Sequence, residues 1–526
     1  MIDIKHPYTT NQVVSALMQA NPSKKQTATN SIRKWNEYLT VVSQQIQKSV
    51  VLARSDQIDR NQLPFEWTVM SNKLSKCREF GSYLTWFHKH FPLVRIHRLG
   101  TPGELTMTEL LYDIELGSMS QTPQEAYTTM YGHQLTDCDV DIDWVNIDMR
   151  SLSAFIAANA EALRTSTKIK HQQALKRNGI WARSILLCAE YFHSQGQGYR
   201  IAQIANESNF GRRYYRSLNL QSAPKIVRHA ALGSCYQYDL NASVFAWRYN
   251  FVKFIDSKIS MPYTLEYIDE KDQRRRQLAL ALDIPVSFNI KLEIIKELIT
   301  AIGFGSRPGN NGVRWQDQSG AWQYPSINKI IKSPEARDNL LAHPWLAGFI
   351  LEQKMISKVI FDNIKELVRD KEFLANERGN LSVNATLAYA YQTEERNCID
   401  MLSERARLDG TFLLAVHDAF YTSRPVKLVE LKEQLVEFNP YATISKEHHN
   451  SYGYDYEEQQ HEQRMIEEEK RANGGVVPKK VSANQNRIQR LIEQHLKEYT
   501  GDDEFNNGFR IESNYDTMHD PFYMED

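Results

Sequence analysis

Apolar and polar positions divide the chain into long stretches of helical spacing, interrupted by a few short apolar runs of strand length. Helical periodicity runs through Asn11 to Ala20 and Ser31 to Leu52, with Asn and Ser at the starts, and again from Ser151 to Gln195. A different pattern marks Leu413-Leu414-Ala415-Val416-His417-Asp418-Ala419-Phe420, where four apolar residues meet a His-Asp pair and an aromatic follows. β-prone residues followed by a charge predict a buried strand that delivers an acid to a tight turn. A carboxylate placed there is costly unless paired, and a divalent cation is the usual partner. A second apolar-flanked acid, Asp239, stands in Cys235-Tyr236-Gln237-Tyr238-Asp239-Leu240-Asn241-Ala242. The run Thr136 to Asp143 alternates acids with apolar residues but lacks the glycine of a calcium loop. It reads as an edge strand or loop with one solvated acidic face.

Composition narrows the class. A chain of 526 residues with 42% hydrophobic content is long enough for several cores, and about two to four domains are expected. Lys plus Arg (63) nearly cancels Asp plus Glu (64), so only local charge speaks about a nucleic-acid partner. The five cysteines lack any CxxC spacing, which fits a reducing compartment and argues against a disulfide frame or zinc site. The N-terminus lacks the build of a signal peptide and no apolar run reaches membrane length, so a soluble, cytoplasmic protein without membrane contact is expected. Arg164, Lys168, Lys170, His171, Lys176, Arg177 and Arg183 form a basic helical series, with Trp181 and Tyr191 among or just past them. Such a series suits a phosphate backbone or a plain solvated face.

The segment Ser208-Asn209-Phe210-Gly211-Arg212, continuing to Leu218-Asn219-Leu220-Gln221-Ser222-Ala223-Pro224, resembles one found in family A DNA polymerases. There a Thr-x-x-Gly-Arg segment is followed by Asn-Leu-Gln-x-x-Pro shortly before the first catalytic Asp. Single-subunit phage-type RNA polymerases share the palm and a related Gly-Arg segment. Asp239 follows Arg212 by 27 residues, a short gap that looks like the DNA polymerases. Lys296, with Phe304 eight residues later and then Gly305, resembles the fingers helix of both families, since eight residues bring both side chains near one helix face. Gln392, in Tyr391-Gln392-Thr393-Glu394-Glu395-Arg396 opening a helix, resembles a minor-groove contact. His417-Asp418-Ala419-Phe420 sits nearer the His-Asp-Ser-Phe signature of the phage-type enzymes.

The resemblance covers about residues 200 to 430 and implies an α+β, mostly helical, right-hand polymerase with an antiparallel-sheet palm and helical fingers and thumb. Its expected division is a helical N-terminal domain over 1–150, thumb-like helices over 151–200, palm over 201–260 and 380–440, and fingers over 261–379. A charged, partly disordered tail over 441–526 follows, available to a protein partner; it includes a glutamate-rich stretch at 454–469, a linker at 474–478 and a short helix at 486–499.

By the same resemblance Asp239 and Asp418 bridge two Mg²⁺ ions (Mn²⁺ the alternative), with the Leu240 carbonyl as a further ligand. Lys296 clamps the nucleoside triphosphate, and Phe304 and Gly305 face the nucleotide. Arg212, Asn219, Gln221 and Gln392 hold the primer-template, and His417 orients the primer end or hydrogen-bonds within its turn. Departures bear on the sugar. Val244 stands where family A enzymes place a Glu against the ribose 2′-hydroxyl, Leu292 where they place an Arg, and Phe304 lacks the tyrosine hydroxyl of the RNA polymerases. The expectation is a template-directed polymerase extending a 3′-hydroxyl, leaning slightly to DNA synthesis. An RNA polymerase or primer-making enzyme is the near rival, and a non-catalytic nucleic-acid-binding accessory protein the rival from another class.

Overall fold

The computed structural model describes residues 2–452, apart from 23–26, 53–61, 75, 78, 99–105, 117–120, 133, 136–140, 207–210, 307–314, 317–321, 324–325 and 376–378. The expected tail elements at 454–469, 474–478 and 486–499 lie outside the described residues, as does Ser208. The fold is α+β and mostly helical, with small antiparallel sheets. Chain contacts divide it into two compact units. No helix among the described residues is long and apolar enough to cross a membrane.

The first unit comprises residues 1–206, 215–234 and a short return at 450–452. The helices Thr10–Ala20 and Ala28–Leu52 match the expected periodicity, and a Thr9–Gln12 capping box starts the former. Residues 1–150 are nevertheless not simply helical. They also form short strands, including the three-stranded sheet Gln62–Phe65, Thr106–Leu110, Val94–Arg98. The helices Met149–Thr165 and Ile169–Ser194 do not separate as a thumb. Gln47 on Ala28–Leu52 donates to Ser184 over 2.8 Å in a buried contact, which joins them to the N-terminal helices in one unit. The aromatics among the basic series are packing residues: Trp181 is buried and Tyr191 stacks on Tyr127 at 4.2 Å. Lys176 pairs with Asp113. Of the run with alternating acids, 136–140 lie outside the described residues; Ile142 and Asp143 open Ile142–Asn146, an edge strand. Strand Arg200–Asn206 lies between it and Tyr214–Arg216, so residues 201–234 belong largely with this unit rather than with the palm expected over 201–260.

The second unit comprises 207–214 and 235–449. Its four-stranded antiparallel sheet runs in the order Phe412–Val416, Ala419–Thr422, Cys235–Asn241, Thr443–His449. The last strand corrects the tail boundary expected at 441. It is polar apart from Ile444, so its sequence reads as loop, and pairing along all of Cys235–Asn241 makes it a strand. Alternation along Cys235–Asn241 sends Tyr238 and Leu240 to one face. There they join Phe420, Ile444, Ile399, Leu402, Leu431 and Leu435 in a core, with Tyr238 stacked on Phe420 at 4.9 Å. Gln237, Asp239 and Asn241 take the opposite face.

The larger core of this unit lies among helices Ser243–Ile255, Phe288–Gly303, Pro344–Ile364 and Val383–Leu408. Arg248, fully buried, ties three of them together by donating to Gly303 O, Gln353 O and Ser357 Oγ at 2.9, 2.9 and 2.6 Å. The Gly303 carbonyl at its helix C-terminus favours a cation, yet among the described residues no carboxylate offsets the burial of Arg248, which pushes the guanidinium down to about 9.

Candidate active site on the four-stranded sheet

Strand Phe412–Val416 ends where expected, and His417-Asp418 form a two-residue turn into Ala419–Thr422. His417 takes the left-handed conformation (φ 52°), which a two-residue hairpin demands of one or both turn residues. The turn lies beside the strand carrying Asp239, since Ala419 is the register partner of Asp239 and the Leu240 N–H donates to the Asp418 carbonyl over 3.0 Å. In an antiparallel strand the N–H and C=O of one residue point to the same side, so the Leu240 carbonyl also faces the turn. The acids at 239 and 418 thus occupy one end of one sheet, near enough for their charges to interact.

Beyond Asn241 the chain turns at Ala242, left-handed at φ 48°, into helix Ser243–Ile255. Non-glycine residues pay strain in this region, and such residues gather at functional sites. Two of the three among the described residues, Ala242 and His417, flank the acid pair.

A chain of hydrogen bonds leads from Asp418 inward. Ser243 Oγ donates to Asp418 Oδ2 at 3.3 Å and lies 2.7 Å from the Tyr391 hydroxyl, which donates to Glu395. Glu395 receives Nε and Nη2 of Arg212 at 2.6 and 2.8 Å, a bidentate pair with both side chains buried. Burial alone would lower the Arg212 charge, but Glu395 outweighs it and holds the guanidinium protonated. Burial, the Glu395 carboxylate and Asp239 together push the Asp418 carboxyl up to about 7, against the pull of Arg212.

Lys296 is half-buried on helix Phe288–Gly303, and its charge reaches Lys271, which also feels Asp239. The other residues expected near the nucleotide face inward. Phe304 caps that helix and packs its ring 5.6 Å from Tyr391. Gly305 (φ 88°) has the Asn384 amide where a side chain would stand, so the space beside it is filled by protein rather than open to a nucleotide. Val244 lies in the apolar core, against the position a side chain on Gly303 would take. The His417 ring meets Tyr214 edge-on at 6.2 Å.

The primer-template candidates are placed differently from expectation. Arg212 is committed to Glu395. Asn219, in the first unit, is buried and braces its own loop, donating to Tyr215 O and Ser217 O and accepting from Ser222 N. Gln221 is buried in the same loop, which Arg228 fastens by donating to Leu220 O, Gln221 O and Ala223 O. Gln392 does not open a helix: helix Val383–Leu408 starts at the Ser382 cap, leaving Gln392 in mid-helix, 1% exposed, its Oε1 without a hydrogen-bond partner among the described residues. In that stretch Tyr391 and Glu395, not Gln392, join the hydrogen-bond chain to Asp418. Their i, i+4 spacing puts them on one helix face and was the available signal.

Among the described residues no group of three or more His, Cys, Asp or Glu side chains forms a metal cage. Magnesium needs none, since it is commonly held by one or two carboxylates with waters and substrate oxygens completing the set. The all-oxygen pair Asp239 and Asp418, with one carboxyl raised partly by the other, fits such an ion. No protein-family model matches the chain, and no curated protein matches it.

Proposed function

We propose that the protein is a template-directed nucleotidyltransferase that extends a nucleic-acid 3′-hydroxyl. The observation that carries this reading is the convergence of Asp239 and Asp418, from segments far apart in sequence, at one sheet end, with Lys296 within electrostatic reach of the same group of charges. Asp239, Asp418 and the Leu240 carbonyl would hold divalent ions, Mg²⁺ or Mn²⁺. Bound there, such ions supply charge neutralisation and activation of the attacking hydroxyl. Lys296 receives a phosphate of the nucleoside triphosphate and offsets charge building on the leaving pyrophosphate. Ser243 orients Asp418 by its hydrogen bond to Oδ2, and Tyr391, Glu395 and Arg212 hold Ser243 in turn.

DNA synthesis remains the favoured chemistry, on the Asn219-Leu220-Gln221 resemblance and the short interval to Asp239. The test offers purified protein a primer-template with Mg²⁺ and either deoxynucleotides or ribonucleotides. Extension with deoxynucleotides is expected and extension with ribonucleotides alone would reassign the sugar. Binding without incorporation of either pool would leave a nucleic-acid-binding accessory role.

A further inference from the structure

Lys271, the first residue of helix Lys271–Ala281, was singled out by no motif. Its ammonium is half-buried and donates to Asn241 Oδ1 over 3.2 Å, two residues beyond Asp239 on the same strand face. It forms no ion pair among the described residues. Arg274, one turn on, is neutralised by Glu266 and Glu270, and Arg275 donates to the Tyr267 hydroxyl at 2.9 Å.

The helices Lys271–Ala281 and Phe288–Gly303 pack together. Burial first, then the Arg275 and Lys296 charges, lower the Lys271 ammonium, while Asp272 and Asp239 oppose them. A half-buried ammonium that has no ion pair among the described residues and stands beside like charges gains from a polyanion that neutralises it.

We infer that Lys271 and Lys296 together form a polyphosphate-binding site beside Asp239, with Lys271 taking the phosphates of the incoming nucleotide. The nucleotide as ligand rests on the nucleotidyltransferase reading, whereas the polyphosphate site does not.

The test is calorimetric titration of inorganic tripolyphosphate into the full chain, without nucleic acid. Lys271→Ala should weaken binding about tenfold, the loss of one charge-assisted contact. Lys271→Arg should restore most of it, and Lys432→Ala, an exposed control on the same unit, should leave it unchanged. Equal affinity in wild type and Lys271→Ala overturns the inference, as does an equal loss in Lys432→Ala or no tripolyphosphate binding at all. In primer extension Lys271→Ala should raise KM for nucleotide about tenfold with kcat little changed, and an unchanged KM in an active enzyme overturns the role of Lys271 alone. A wild type that incorporates nothing yet binds tripolyphosphate through Lys271 upholds the anion site and removes the polymerase reading.

Discussion

The backbone N–H of Leu240 donates to the carbonyl oxygen of Asp418 over 3.0 Å, which fixes the turn carrying one acid against the strand carrying the other. Backbone pairing, rather than a flexible side chain, therefore sets the spacing of the two carboxylates.

If those carboxylates are the ion-binding pair, replacing either with its neutral isostere should remove nucleotide incorporation with little effect on folding. Asp239→Asn and Asp418→Asn should each lower primer extension by at least about 100-fold, with far-UV circular dichroism unchanged. Full activity in either variant would dismiss the two-acid mechanism.

Asp418 also makes a prediction about pH. Its carboxyl is raised to about 7 in the folded chain, whereas a free aspartate titrates near about 4. The folded state thus holds the proton more tightly than the unfolded state. The stability this contributes is complete below about pH 4 and is lost as pH rises through about 7. In chelator, Asp418→Asn should therefore gain Tm over wild type progressively between about pH 4 and pH 8, by at least about 2 °C. Adding Mg²⁺ at pH 8 should narrow the gap, because an ion bound by the native state stabilises wild type. A Tm difference flat in pH would contradict the burial of this acid.

The Arg212–Glu395 pair should behave as a buried ion pair. Arg212→Ala leaves a carboxylate buried beside Asp418 and should cost about 3–5 kcal/mol in urea unfolding of the second unit. Arg212→Met combined with Glu395→Leu should recover most of that loss, since the stranded charge is gone. Comparable destabilisation by the single and double variants would show that the pair is not buried as described.

Gly211 tests how closely the segment before Arg212 approaches helix Val383–Leu408. Its φ is 82°, and a side chain there would meet the Thr393 backbone, with the nitrogen at 2.8 Å. Gly211→Ala should destabilise by more than the roughly 1–2 kcal/mol of the left-handed conformation alone, read from the urea midpoint. It should lower activity as well, because it displaces Arg212 and, through Glu395, the support of Asp418.

How much of this was legible beforehand differs residue by residue. The Leu413–Val416 run, its His417-Asp418 turn and the strand around Asp239 could be read directly, because strand propensity and a charge at the bend are local properties. The helices at 10–20, 28–52, 149–165 and 169–194 were legible for the same reason. Strand Thr443–His449 was not, since its residues carry no inward alternation beyond Ile444 and only the exposed edge of Cys235–Asn241 recruits them. Nor were the roles of Arg212 and Glu395, which stand 183 residues apart.

The sequence alone determined which segments are helix, which are apolar strand, and where two acids meet their bends, for those outcomes depend on neighbours along the chain. The tertiary structure decided that Glu395 rather than a phosphate receives Arg212, that Gln392 is buried, and that Lys271 stands with Lys296 near Asp239. Such pairings follow from which faces of distant elements pack together, and burial then settles which charges are neutralised.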